Sequence, residues 1–571
     1  TDQRQGWLLK LAAIFLGLYA LAITLAPAAR FRTWHITFPW MHWIGYLIWL
    51  SMFAILNRRT ARLLPDRDPY LLPIAGLLSG WGILTVSRLV PTLGLRQSAW
   101  LLVALILVWL GLRLPGELTF LRRFKYLWLT GGLLLTALTL VFGTNPLGAG
   151  PRLWLGCYGF YLQPSEPLKM FLIIYLSAYL ADRQLSLLTL QEKQSAFSSS
   201  RPAVLFPLLL PTLFMTGIAI LLLLVQRDLG TASVFIFLYA AIVYLAVRAR
   251  RILWISLSVL LLSGIIGYRL FDVVRLRVDA WLNPWADPSG RSYQIVQSLL
   301  AAANGGLFGR GPGMGNPGLV PIPHSDFIFV AITEETGLLG ALALIGMLII
   351  LVERGILVTL KAPTTFHRLL AAGLTAYLAG QSILIIGGNL RLLPLTGVTL
   401  PFVSYGGSSL VTSFLALLIL LLISNQSTKQ PSGQLNTIPY LHLGSLLILG
   451  LIATALVAGW WGIYRGPDLL TRTDNARRAI ADRYVRRGAL LERGERILVE
   501  STGQPGDLTR QVLYPDLGPI IGYTHPIYGQ SGLEASLDPY LRGTQGNPGL
   551  LVWWYHLLYG QPPPGLDIRL S

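Results

Sequence analysis

Long apolar runs, broken by short polar stretches, fill most of the chain. A helix that crosses a bilayer needs roughly 20 apolar residues. Windows of that kind predict thirteen spans, at 7–29, 37–57, 70–91, 97–115, 122–143, 165–181, 203–225, 229–247, 251–271, 328–353, 366–389, 405–424 and 439–464. Two of the intervening stretches are long. One covers 144–164 and the other 272–327, the latter rich in Gly, Pro, Asn and Arg. Residues 191–201 (QEKQSAFSSSR) read as a polar linker. After 464 the pattern changes: residues 465–571 are polar, with Gly-Pro turns and short alternations such as Glu495–Glu500. That predicts a small strand-containing domain.

Composition narrows the class. Of 571 residues, 53% are hydrophobic and 12% charged, against about 25% charged in soluble domains. These figures exclude a soluble globular domain, a disordered chain and a collagen-like one. Cys157 is the single cysteine, which excludes an intramolecular disulfide. The class that remains is an all-α polytopic membrane protein with a small C-terminal α+β domain.

Charge adds a location. Lys and Arg number 45 and Asp and Glu 26, a net charge of +19. Lysine stands only at 10, 125, 169, 193, 361 and 429, so the excess is arginine. It is scattered between apolar runs, which speaks against nucleic acid and for anionic lipid and positive-inside anchoring. A phosphate-bearing substrate accounts for a few of these residues. Basic clusters recur on alternate loops: Arg58, Arg59, Arg62 and Arg67; Arg122, Arg123 and Lys125; Arg248, Arg250 and Arg251; Arg354, Lys361 and Arg368. Placing them in the cytoplasm puts the N-terminus inside a plasma membrane and the C-terminal domain outside it.

Four stretches on the outer side carry candidate chemistry. GAGPRLW holds Arg152 beside Trp154, which suits an anion or sugar site or a snorkelling Arg. QPSEPLK follows it, with Glu166 and Lys169 three apart on one helix face, as a structural pair or part of a site. QRDLGT places Asp228 and Gly230 in a polar turn. PIPHSDFIF puts His324 and Asp326 at the mouth of a span, with Glu334 and Glu335 two turns further on. A carboxylate at an apolar rim suits a general base or a metal ligand, and also a helix cap. LPLTGVTLPFVSYGGSS sets Pro and Gly at membrane depth, which implies a broken or re-entrant segment or a helix-packing face.

In this order, the motifs resemble the SEDS family, the RodA- and FtsW-type membrane glycosyltransferases of peptidoglycan synthesis. GAGPRLW, QPSEPLK, QRDLGT, GGLFGRG, HSDFIF with EETG, and the LPLTGVTLPFVSYGGSS run all have counterparts there. The chain departs from the pattern in the extra Gly-Pro before Arg152 and in Arg227, where the family usually has Pro. The resemblance implies a ten-helix core over 70–425, with 1–69 as two additional helices. It implies polymerisation of lipid II from a polyprenyl diphosphate donor, with inversion. Asp326 matches the family's essential Asp and is the implied base. Arg96, Arg152, Glu166, Lys169, His324, Ser404, Ser408 and Arg277 are the implied substrate-binding residues, with Arg275 beside Arg277 as a further candidate. A divalent cation, Mg or Mn, can bridge diphosphate and carboxylate, although no dedicated metal cage is visible. The alternative is a lipid II flippase.

The tail resembles a second family. Arg487-Gly488, Tyr514-Pro515, Gly522-Tyr523, Gly532-Leu533-Glu534 and Leu541-Arg542-Gly543 are similar to the membrane-proximal pedestal of class B penicillin-binding proteins. On that resemblance 426–464 is a linker and anchor, 465–571 is the pedestal, and the transpeptidase domain is expected to be absent. No Ser lies three residues before a Lys, so no crosslinking activity is expected. The implied partners are a penicillin-binding-protein transpeptidase module and the elongation or division complex.

Overall fold

A computed structural model describes residues 2–570. It leaves out 32–33, 146–147, 149–150, 158–159, 194–200, 250, 427–436, 473–474, 476, 478–479, 481–484, 504–507, 526–528, 548, 550–551, 553 and 555–563. The chain divides into two compact units, Thr1–Gly462 and Ile463–Ser571.

Every span predicted in the first unit is a helix. They are α1 (Asp2–Phe31), α2 (Met41–Leu63), α3 (Leu71–Leu89), α4 (Pro91–Gly111), a short α5 (Thr119–Arg123), α6 (Lys125–Phe142), α7 (Ser165–Lys193), α8 (Arg201–Val225), α9 (Leu229–Val247) and α10 (Arg251–Leu270). After the segment 272–327 come α13 (Ile328–Lys361), α14 (Thr365–Asn389), α15 (Gly407–Asn425) and α16 (Ile438–Gly459). Among the described residues, ten helices are long and apolar enough to cross a membrane. α2, α7 and α8 fall outside that set; α7 carries Glu166 and Lys169 at one end and Asp182 and Arg183 towards the other. The expected linker 191–201 begins inside α7, which continues to Lys193; its residues 194–200 lie outside the described residues.

The interior is built by α3, α9, α14 and α15, whose side chains are mostly buried. α13 packs against α14 and α16, and α3 against α1, α2 and α4. Two polar devices start helices. Thr364 accepts a hydrogen bond from the His367 amide at 3.3 Å to open α14, and Asp228 accepts one from the Thr231 amide at 3.1 Å to open α9. Each satisfies an amide that the helix leaves without a partner.

The long segment 272–327 is largely ordered structure. It contains α11 (Asp272–Leu282) and α12 (Tyr293–Gly305). The described part of 144–164 forms a small hairpin of β1 (Leu155–Cys157) and β2 (Phe160–Leu162).

GGLFGRG, after α12, docks into a break in α13. Gly337 stands there at φ 70° and ψ −170°, a conformation open to glycine and strained for other residues. The loop backbone replaces the helix's missing partners: Leu338 and Leu339 amides donate to Gly306 and Leu307 carbonyls, and Arg310 and Gly311 amides donate to Glu334 and Glu335 carbonyls. The Glu334 and Glu335 side chains hold the same loop. Glu334 Oε1 accepts from Asn304 Nδ2 at 2.8 Å and from the Asn316 amide at 3.0 Å. Glu335 Oε1 lies 2.8 Å from Arg88 Nε. Both carboxylates are thus engaged in fastening the loop rather than facing a site.

The second unit contains a four-stranded sheet in the order β5 (Thr509–Val512), β4 (Ile497–Thr502), β3 (Leu490–Leu491) and β8 (Ile568–Arg569), with β3 and β8 parallel. A hairpin of β6 (Thr524–His525) and β7 (Gly529–Gln530) stands apart from this sheet. The alternation expected at Glu495–Glu500 lies two residues early: the strand is Ile497–Thr502. Leu490, Leu498, Val499, Ile521 and Leu541 make the core of this unit. Arg487 and Arg510 converge on buried Glu534 at 2.9 and 2.7 Å, and Arg487 also pairs with Asp538.

Candidate active site

Asp326 sits in the bend that leads into α13, partly buried. It does not cap that helix: Phe327 holds the cap position, with no side-chain hydrogen bond. Its carboxylate is therefore free of the structural duty that a helix mouth would give it.

The bend is stapled to the SYGG turn ahead of α15. The Tyr405 amide donates to the His324 carbonyl at 2.9 Å, and Ser404 Oγ donates to the Ser325 carbonyl at 2.7 Å. Ser404 Oγ also accepts from the Leu400 amide at 2.9 Å. Asn389 Nδ2, at the end of α14, donates to the Asp326 carbonyl at 2.7 Å. Buried Gln97 fastens the turn from the other side, through the Ser404 carbonyl at 3.0 Å and the Gly406 amide at 3.2 Å. Backbone at such a depth persists only when protein supplies its partners, and these side chains supply them.

Arg277 comes from α11. Its Nη1 donates to the Thr396 carbonyl at 3.2 Å, and its charge acts on both Asp326 and Asp228. Burial holds the Asp326 carboxyl above the ordinary carboxylate range, against the Ser325 hydroxyl (3.0 Å to Oδ1) and the Arg277 charge, which pull it down. Burial also lowers the His324 imidazole, so it is neutral at pH 7. The site thus offers one carboxylate with raised basicity, a guanidinium facing it and a neutral imidazole nearby.

The other expected residues are placed as follows. The His324 ring stands edge-on to Tyr405, centroids 5.7 Å apart, and no hydrogen bond joins it to the Asp326 carboxylate among the described residues. Arg96 is exposed and reaches the Tyr405 hydroxyl. Glu166 and Lys169 pair at 2.8 Å with Lys169 fully buried. Lys169 Nζ also donates to Gln381 Oε1 at 2.9 Å, and Gln381 Nε2 donates to the Thr399 carbonyl at 2.7 Å. This pair therefore reaches the 393–406 segment through Gln381 rather than through open space. Ser408 Oγ accepts from the Gln163 amide at 2.7 Å. Arg152 is exposed ahead of β1, and Arg275 is exposed beside Asp272. No contact among the described residues brings either to Asp326.

Gln381 and Asn389 were missed as site-building residues. Each is a polar residue inside an apolar span, a signal that by itself marks a functional position.

The profile of the FtsW/RodA/SpoVE family, described as cell cycle protein, matches residues 83–429. The peptidoglycan glycosyltransferase RodA of Mycobacterium tuberculosis is 34% identical over 405 residues, covering 68% of this chain and 85% of that protein. Stage V sporulation protein E of Bacillus subtilis is 36% identical over 296 residues, covering 51% of this chain and 76% of that protein. A chain from a solved peptidoglycan synthase complex, studied for the coordination of polymerization and crosslinking, is 29% identical with a TM-score of 0.52, covering 64% of this chain and 99% of its own length. With its apolar helices and its matched motifs, this integral membrane protein belongs to the FtsW/RodA/SpoVE family.

Proposed function

We propose that the chain is a peptidoglycan glycosyltransferase that polymerises lipid II at the outer face of a bacterial plasma membrane. Its relatives carry that activity in their names. The observation that carries the proposal is the Asp326 carboxylate: free of capping, raised by burial, held in a stapled bend and faced by Arg277.

The reaction needs a base for the acceptor GlcNAc 4-hydroxyl and positive charge for the departing diphosphate. Asp326 takes the proton as the hydroxyl oxygen attacks the anomeric carbon of the lipid-linked donor. The carbon–oxygen bond to the diphosphate breaks, and its electron pair leaves with the polyprenyl diphosphate. The configuration inverts. Arg277 and Arg96 are the cations assigned here to the diphosphate, and Arg152 is an exposed third. Glu166 and Lys169 set the 393–406 segment through Gln381, and His324, Ser404 and Ser408 hold the rim that the sugar meets. A Mg or Mn ion would find Asp326, Asp228 and diphosphate oxygens, short of a protein cage: no group of three or more His, Cys, Asp or Glu gathers among the described residues.

The basic loops support an N-terminus in the cytoplasm and a second unit outside the cell. The ion cluster of Arg487 and Glu534 joins two of the motifs that resemble a class B penicillin-binding-protein pedestal. It supports reading 465–571 as that pedestal and a transpeptidase module of this type as partner. A flippase would have no use for a base at the outer mouth.

The test is purified protein with lipid II in detergent, products resolved on a gel beside Asp326→Ala. A glycan ladder that vanishes in the variant supports the proposal. A ladder from both proteins removes Asp326 as the base.

A further inference from the structure

We propose that Arg391 is a positioning residue that holds Arg277 against Asp326 by latching the end of α11; this rests on the glycosyltransferase reading above. Arg391 follows α14 with φ 60°, a left-handed conformation that a non-glycine residue keeps only when its surroundings fix it. What fixes it is α11. Arg391 Nε donates to the Trp281 carbonyl at 2.8 Å, and Nη2 donates to the Leu282 carbonyl at 2.7 Å. Trp281 Nε1 donates back to the Arg391 carbonyl at 3.1 Å. The two carbonyls are among those a helix leaves unpaired at its C-terminus, and a cation there also meets the negative end of the helix dipole.

The latch is reciprocal and short. Trp281 lies four residues after Arg277, so both share one face of α11. Residue 390 is itself pinned, because buried Trp461 donates Nε1 to the Leu390 carbonyl at 2.8 Å. A cavity of about 280 Å³ lies beside the latch, lined by Trp281, Leu282, Arg391, Leu392, Val457 and Trp460, while the Tyr268 hydroxyl holds Asp279 from α10 at 3.0 Å. Loss of the latch therefore lets α11 shift, and Arg277 with it, while the bundle helices stay packed.

Asp326 reports that shift. Arg277 on α11 is the charged group that acts on it, coupled in turn to Asp228 at the start of α9, with His324 neutral in its own segment. When Arg277 retreats, the Asp326 carboxyl titrates at higher pH. The acid limb of the pH–rate profile moves the same way.

The experiment uses the full chain in detergent with lipid II. Arg391→Gly keeps the left-handed backbone and removes the latch; Trp281→Phe keeps the ring and removes one donor. Both should lower kcat, by roughly tenfold to a hundredfold for Arg391→Gly, since small misplacements cost that much. Arg391→Gly should also move the acid limb to higher pH, in the direction expected for Arg277→Met, with melting unchanged. A wild-type rate and pH profile in Arg391→Gly overturns the latch and leaves the polymerase reading standing. So does a variant that melts early and regains the full rate on cooling, which marks a mere brace. No glycan from the wild-type chain overturns the reading itself, and the latch with it.

Discussion

Arg277 and Asp326 converge on Gly397. A methyl group built on Gly397 would lie 3.5 Å from Arg277 Nη2 and 3.7 Å from Asp326 Oδ2. The residue also stands at φ 72°, where a side chain costs roughly 1–2 kcal/mol. A methyl fits there at ordinary van der Waals contact with both side chains, so Gly397→Ala should act through the strained backbone, shifting the segment that both side chains touch. The expected outcome is a modest fall in melting temperature with at least a tenfold loss of polymerisation rate. Rate and melting measured on one preparation decide it: a rate that falls no further than the stability does removes the pair from the chemistry.

Asp326 should cost the fold stability at neutral pH. Its carboxyl titrates above the ordinary range because burial disfavours the charge. Between the unfolded and folded values the native state holds the extra proton, so stability falls as pH rises through that window. Asp326→Asn removes the charge without changing size. We expect no glycan from this variant and a higher melting temperature than wild type at pH 7.5, with the gap closing below pH 4.

Arg88 ties α3 to both α13 and the 272–327 segment. It pairs with Glu335 at 2.8 Å and donates to the Gly313 and Gly315 carbonyls. Removing one member of a buried pair leaves the other uncompensated, at roughly 3–5 kcal/mol. Arg88→Met should melt well below wild type, and proteolysis should cut first between 305 and 320. A melting temperature within error of wild type would mean that the loop is held by its backbone alone.

Glu166 and Lys169 should behave as a unit. Lys169→Met strands a buried carboxylate and leaves Gln381 Oε1 without its donor. Replacing both ends of a buried pair is much milder than breaking it. The double variant Glu166→Gln with Lys169→Met should therefore melt above either single variant. A double-variant cycle on melting temperature checks it; strict additivity would deny the coupling.

The sequence displays the helices well because lipid demands long apolar runs, and each expected span is a helix in the structure. Helix ends were harder to read. α7 extends to Lys193 because nothing in QEK stops a helix, and the chain after it carries the polar signal instead. The HSDFIF, SYGG and QPSEPLK segments are visible as charges and turn residues in apolar surroundings, and the fold brings them into one neighbourhood. Local sequence does not tell which way a side chain faces. Lys169 is buried on Gln381, His324 turns to Tyr405, and Glu334 and Glu335 fasten a loop. Those outcomes depend on Gln381 of α14, on Tyr405 ahead of α15 and on the loop that precedes α13, all outside the local motif. Arg391 is the extreme case, an arginine after a helix whose partner is the end of another helix more than 100 positions earlier.

The splice of GGLFGRG into the break at Gly337 sets where the molecule can open. Withdrawing that loop would strand the Leu338 and Leu339 amides and the Glu334 and Glu335 carbonyls together, at roughly 1–3 kcal/mol each. Such an event belongs to unfolding, not to turnover. The splice is a fixed wall, and a substrate with a long lipid tail must pass elsewhere. α10 is exposed along nearly its whole length and packs mainly on α9 and α11, so displacing it would break far fewer contacts than withdrawing the splice.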